Sequence, residues 1–374
     1  MNTNQIFDAF LQEKLFEREA NGLLRTLTNG EGLVDFSSND YLGFSQLPAL
    51  KQIEHASLPA GATGSRLITG NSLLAEITEK IIAGFHHAEA ALIFNTGYMA
   101  NLGLFSSIAD KGDTFISDEY IHASIIDGMR LSNAGRHKFK HNDLADLEKK
   151  LQHATGKKFI VVESIYSMDG DEAPLKAIVA LSKKYEALVI VDEAHATGTF
   201  GEKGEGLVCH YQLEKEIYAR VYTFGKAMGL HGAAITGSNV LRDFLINFAR
   251  PFIYTTALPP HTYLQIQAAY KLLPTTDRKG LFELIRYFRK SVLGLENISF
   301  MESHSPIQSI VIGDNFKAKA LASHLFTKGI FAKAILSPTV PAGTERLRIC
   351  LHTFNTTAQI DQLIDEIKMM CPVL

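Results

Sequence analysis

The sequence predicts an α/β protein with a doubly wound, mostly parallel central sheet and a smaller C-terminal α+β domain. Three observations carry that prediction. Phe159-Ile-Val-Val162 and Leu188-Val-Ile-Val191 are unbroken apolar runs, the kind buried on both faces of a parallel sheet. A helical pattern from Leu175 to Tyr185 separates them, as the crossover between parallel strands requires. The same strand and helix alternation runs from Leu73 to Thr236. Helical patterns then dominate from Val240 to about Leu295, before short strands return.

In chain order, residues 2–25 place Ile6, Phe7, Phe10, Leu11, Leu15 and Phe16 at helical spacing, which predicts an arm packed against something larger. Leu33 to Gly43 reads as a short strand entering a turn rich in residues that accept unusual backbone angles. The stretch Ala60 to Asn71, containing GATGSRLITGN, is too rich in glycine for a regular element and reads as a functional loop. Leu73, Leu74, Ile77, Ile81 and Phe85 mark a helix, Ala90 to Phe94 a strand, and Tyr98 to Ala109 a helix. Thr114 to Ser117 is strand-like, a helix starts from His122, and Leu144, Leu147 and Leu151 mark another. Arg220 to Phe224 and Ala233 to Thr236 add strands, and later ones fall near Ile307 to Ile312, Phe331 to Leu336 and Leu347 to Leu351. The expected division is an N-terminal arm over 1–41, a large α/β domain over 42–276 and a small α+β domain over 277–374.

Composition narrows the function. A chain of 374 residues with 46% apolar content can bury a large core. Its net charge of −3 gives no polybasic footprint for nucleic acid or anionic lipid, which points to a small-molecule ligand. Cys209, Cys350 and Cys371 are scattered without metal or disulfide spacing, as suits a reducing cytoplasm. No secretory signal and no run of roughly 20 apolar residues appears, so a soluble protein without membrane contact is expected.

In an open α/β sheet, ligands bind outside the carboxyl ends of the strands. Asn95-Thr-Gly97-Tyr98 follows one such end and opens a helix, where the amides of Gly97 and Tyr98 can cap a phosphate or simply make a tight turn. His122 stands at a helix start, placed either to stack on an aromatic ligand or to cap the helix. Ser164 to Asp171 leaves another strand as an acidic turn. Asp192 closes the run Ala187 to Val191; alone it reads more often as a strand-end cap or ion pair, and His195, three residues on and able to face the same ligand, brings the ligand reading level with that one. Lys226 lies in Thr-Phe-Gly-Lys, preceded by Thr223 and flanked by Gly225 and Gly229, which would let the backbone approach a bound ring. A strand delivering an Asp and a second strand delivering a Lys is what a pyridoxal 5'-phosphate (PLP) enzyme of the aspartate-aminotransferase type, fold type I, needs. The lysine holds the cofactor aldehyde as a Schiff base and the aspartate keeps the ring nitrogen protonated. Metal catalysis is not indicated: His86 and His87 are adjacent, and no HExxH, Walker or GxGxxG motif occurs.

Taken in order, FSSNDYLG, GATGSRLITGN, NTGYMAN, DEYIHAS, SMDGD, VDEAHATG, TFGKAMG, YTTALPP and PTVPAGTERLRI resemble the α-oxoamine synthase family of PLP enzymes over nearly the whole chain. The resemblance implies that Lys226 binds the cofactor and carries protons. It implies further that Asp192 pairs with the pyridinium nitrogen, His122 stacks on the ring, His195 bonds the phenolic oxygen and Ser167 lines the pocket. Gly97, Tyr98 and Thr223 would hold the phosphate, and Thr256 would reach the phosphate of a partner subunit, which implies a homodimer. Arg348 would bind the amino acid carboxylate, a bidentate task suited to arginine, with Asn39, Ser65 and Arg25 also on the substrate side.

The implied reaction is a decarboxylative condensation of L-alanine with a pimeloyl thioester, carried on coenzyme A or acyl carrier protein, in biotin biosynthesis. Ser65-Arg66-Leu67 favours that member over the glycine-using ones. A serine and palmitoyl thioester pair, or a glycine and acetyl thioester pair, remain alternatives, as does a non-catalytic scaffold. One position departs from the family pattern: Leu336 stands where several members carry a second arginine.

Overall fold

The computed structural model describes residues 2–53, 58–293 and 298–370, so Cys371 and the helical expectation around Leu295 lie outside the described residues. The chain divides into two compact units, one of Asn39–Ser167 and Glu172–Arg278, the other of Met1–Ser38, Met168–Asp171 and Lys279–Leu374.

The larger unit is built on a seven-stranded sheet. Its strands are β1 (Ala90–Phe94), β2 (Thr114–Asp118), β3 (Gly135–Phe139), β4 (Lys158–Glu163), β5 (Ala187–Asp192), β6 (Ala219–Thr223) and β7 (Ala233–Gly237). They lie in the order β1-β7-β6-β5-β4-β2-β3, and β7 alone runs against its neighbours. The carboxyl ends of β1 to β6 therefore share one edge. The apolar runs of β4 and β5 form central strands as expected, because nearly every residue in them is buried.

The edge strand β3, which the sequence reading missed, is exposed except at Phe139 and carries Arg136, His137 and Lys138. It shows no alternation because four of its five residues are exposed, on both faces, and its charges discourage pairing with another chain.

Helices α2 (Leu73–Phe85), α3 (Gly97–Ser107), α4 (Ala123–Leu131), α5 (Leu144–His153), α6 (Leu175–Lys184), α7 (Asn239–Phe248) and α8 (Pro260–Leu272) surround the sheet. Leu104, Ile125 and Leu245 from α3, α4 and α7 share a buried cluster with Phe115, Phe159 and Val221 of the sheet. Both α2 and α3 begin at the residues their sequences favour: the Ser72 hydroxyl accepts from Ala75 N, and that of Thr96 from Met99 N.

In the second unit, β8 (Ser299–Phe300), β9 (Ile307–Val311), β10 (Lys333–Ile335) and β11 (Arg346–Cys350) form an antiparallel sheet in the order β10-β11-β9-β8. The expected strand Phe331 to Leu336 is two pieces. Ile330–Phe331 pairs in parallel with Val34–Asp35, whereas β10 pairs with β11. The break at Ala332 lets one segment serve two sheets.

Helices α9 (Lys279–Val292), α10 (Asn315–Thr327) and α11 (Thr357–Met370) complete this unit, with Leu281, Ile285, Phe288, Ile360, Leu363 and Ile364 buried. Thr3–Ala20 is helical and opens with a capping box between Asn2 and Gln5. Its expected packing is not found among the described residues: the helix buries none of its side chains, and Ile6, Phe7, Phe10, Leu11, Leu15 and Phe16 are all exposed.

Candidate active site

The strand ends of the larger unit deliver most of the residues singled out from the sequence. Asp192 closes β5 and is buried; its Oδ1 accepts from the Ala194 backbone N–H at 2.9 Å and its Oδ2 from Asn101 Nδ2 at 2.9 Å. Asn101 lies inside α3 and also donates to the Ser124 hydroxyl at 3.0 Å, whose oxygen is 2.7 Å from His122 Nδ1. Asp192 and His122, far apart in sequence, are thus joined through two buried polar side chains. A hydrogen-bonded chain of this kind fixes the orientation of its members.

His122 is the N-cap of α4, its Nδ1 accepting from the Ser124 backbone N–H, and the residue as a whole is exposed. The capping and ligand readings of this residue are therefore compatible. Burial is the largest influence on its titration and lowers its pKa; Asp192 opposes that effect and the Lys226 ammonium adds to it. Lys226, half-buried in the turn after β6, acts in the same way on the Glu163 carboxyl, whose pKa it lowers.

At the neighbouring end of the sheet, a Cβ placed on Gly97 would sit 3.5 Å from Thr223, so the first residue of α3 and the last of β6 lie side by side. The early amides of α3, including those of Gly97 and Tyr98, have no partner within the helix, and the Thr223 hydroxyl beside them donates to the Gly232 carbonyl at 3.4 Å. The Tyr98 phenol turns away to Asp127, to which it donates.

Gly229 has a different role from the one expected. Its φ of +59° is left-handed, and a Cβ there would run into the backbone of Ser45, so close packing of two loops explains the glycine.

Three further groups complete the set. His195 is buried, with Nδ1 2.7 Å from the Tyr41 hydroxyl, which donates to Asn39 Oδ1 at 3.1 Å. Ser65 bridges Thr256 through the backbone, and the Thr256 carbonyl accepts from Asn95 at 2.8 Å. The Ser65 hydroxyl is buried with no partner among the described residues. Ser167 is buried at the end of its segment.

Arg66, beside Ser65, is committed to structure: Nη1 and Nη2 meet Glu79 Oε1 and Oε2 at 2.8 and 3.2 Å, and Nε donates to Asn71. Without Arg66, Glu79 would keep Arg242 at 3.7 Å and the Ile93 amide but lose its two shortest charged hydrogen bonds. Arg66→Ala is therefore expected to destabilise the larger unit by about 2 kcal/mol, and an unchanged urea midpoint would contradict this account.

Arg25 and Arg348 belong to the other unit. Arg25 is exposed, whereas Arg348 is buried on β11, with Nη1 3.0 Å from Cys350 Sγ. Leu336, half-buried just past β10, accepts from the backbone N–H groups of Thr339 and Val340 through its carbonyl. Sequence reasoning missed Tyr41, Asn101 and Glu163 as individuals. The signal for Asn101 was an amide inside an otherwise apolar helical pattern, and for Glu163 an acid ending an apolar run as Asp192 does.

The sequence model of the family described as aminotransferase class I and II matches residues 31–367. The chain belongs to that family. As an aminotransferase class I and II protein it is also similar to the 8-amino-7-oxononanoate synthase of Lysinibacillus sphaericus, 41% identical over 91% of this chain and 89% of that one. Among solved structures, a serine palmitoyltransferase variant from S. paucimobilis with a bound PLP–myriocin aldimine superposes with a TM-score of 0.87 at 28% identity, covering both chains completely. The 8-amino-7-oxononanoate synthase of Francisella tularensis gives 0.78 at 30% identity, over 92% of this chain and 99% of that one. These relatives are α-oxoamine synthases, so the resemblance drawn from the motifs holds, and the fold is that of the PLP transferases of fold type I.

Proposed function

We propose that this chain is a PLP-dependent acyltransferase. It condenses L-alanine with a pimeloyl thioester, on coenzyme A or acyl carrier protein, to give 8-amino-7-oxononanoate, CO2 and free thiol in biotin biosynthesis. The observation that carries the reading is the linked set Asp192, Asn101, Ser124 and His122 beside Lys226, in a chain 41% identical to a synthase of that name. The residues suit PLP in their chemistry. An anion-binding donor set at Gly97, Tyr98 and Thr223 suits a phosphate, a buried carboxylate suits a pyridinium, and a half-buried lysine suits an aldehyde.

When bound, PLP supplies an electron sink for the carbanion formed at the amino acid Cα. Lys226 would hold the cofactor covalently, and its Nζ would accept the Cα proton of the amino acid. Asp192 would keep the ring nitrogen protonated, His122 would cover the ring, and His195, braced by Tyr41, would bond the phenolic oxygen. The Cα then forms a bond to the acyl carbon as the C–S bond breaks, CO2 leaves, and a proton returns to Cα. Arg348 is assigned to the amino acid carboxylate. Homodimer formation, with Thr256 serving the partner's phosphate, and a cytoplasmic location belong to the same proposal.

The serine palmitoyltransferase neighbour, matched over the full chain, favours a second reading with serine and a palmitoyl thioester. A matrix of alanine, glycine, serine and threonine against pimeloyl, succinyl, acetyl and palmitoyl thioesters, followed by thiol release, separates the two. Alanine with the pimeloyl thioester is expected to turn over fastest; preference for serine with palmitoyl would replace the proposal.

A further inference from the structure

Glu163 is a buried titratable group that the proposed reaction leaves without a task. It closes β4 as Asp192 closes β5, and the two are register partners on adjacent parallel strands. Partners in register project to the same face of a sheet, so two carboxyl groups stand side by side at its carboxyl edge. Glu163 is 3% exposed, and its Oε1 has no hydrogen-bond partner among the described residues. The backbone N–H groups of His122 and Ser167 face the carboxyl. The charged groups facing it are Asp192 from β5 and Lys226 from the turn after β6.

Charge balance then decides its state. The ammonium of Lys226 is matched by Asp192, so a second buried carboxylate here would be uncompensated, which the protein interior does not tolerate. Once Lys226 is committed to a ligand, even that ammonium is lost to Glu163. Burial, and after it the Asp192 charge, push the Glu163 pKa up to about 8, although Lys226 pulls it down.

We propose that Glu163 is a positioning residue. It is a neutral carboxylic acid that gathers the backbone N–H groups of His122 and Ser167 and leaves Asp192 as the carboxylate that faces the bound cation. One oxygen accepts the amides and Oε1 carries the proton. This rests on the proposed reaction only for the roles of Asp192, His122 and Ser167.

The test uses the full chain, stripped of PLP and reloaded. Because the folded-state pKa lies above the ordinary 4.5, the folded form keeps a proton that the unfolded chain has lost. Between those two values stability falls with rising pH, and beyond about 8 this contribution is constant. Glu163→Gln cannot lose a proton. Its unfolding temperature without cofactor should therefore rise relative to wild type from pH 5 to pH 8 and then level, and a difference independent of pH would overturn the proposal. That readout involves no turnover, so it stands or falls apart from the reaction. For PLP affinity, Glu163→Ala should weaken binding about tenfold by orphaning the buried amides, and Glu163→Gln should restore most of the loss. If the Gln variant binds as weakly as the Ala variant, a neutral group is not what the site requires.

Discussion

Lys226→Ala is expected to abolish the visible cofactor band that borohydride fixes onto the protein and to lower turnover by about 10⁴-fold, the upper range for a positioned proton-transfer group. Two properties converge on this lysine. It is half-buried in a turn at the carboxyl edge of the sheet, and its ammonium is close enough to Glu163 and His122 to depress the pKa of each. Mass spectrometry after reduction should place the label on the peptide containing Lys226. A label elsewhere, or full turnover in the variant, would remove the basis of the proposed function.

Asp192→Asn should reduce turnover by about 10²- to 10³-fold, the scale on which a fixed electrostatic partner acts in a desolvated site. The fold should tolerate the change. The asparagine oxygen can still accept from Ala194 N, and a turned Asn101 amide would accept through Oδ1 from the new side chain and from the Ser124 hydroxyl, to which it now donates. Removing the charge also relieves the push that Asp192 exerts on Glu163, so the Glu163 pKa should fall. A variant with near wild-type unfolding temperature and much reduced turnover fits this account. Wild-type turnover in Asp192→Asn would show that the carboxylate is not the charge the reaction uses.

How much of this was legible from sequence follows from the range of each interaction. The strands β4 and β5 were readable because burial on both faces leaves an uninterrupted apolar run, and their last residues pointed to the site. Edge strand β3 was not readable, because a strand exposed on both faces and fringed with charge resembles a loop. The site residues at strand ends were found by position, yet the bonds that organise them were not. Asn101 reaches Asp192, and Tyr41 reaches His195, across separations that only the folded sheet closes. Arg66 shows the opposite failing: a prominent arginine in a functional-looking loop is bound to Glu79. The neutral state of Glu163 was out of reach for the same reason, since it depends on which strand lies next to β4.

The place of β1 in the sheet has a consequence for how the protein is made. Its residues are all buried and, among the described residues, β7 is its only strand partner, so Ala90–Phe94 waits for Ala233–Gly237 before it has a neighbouring strand. During synthesis this apolar segment emerges well before its mate. Such a late, non-local pairing slows folding and leaves an adhesive edge open in the nascent chain. Gly97, just past β1, meets Thr223 only when that assembly is finished. The phosphate site proposed there would therefore form among the last events of folding, and the cofactor would seal a nearly completed chain instead of seeding it.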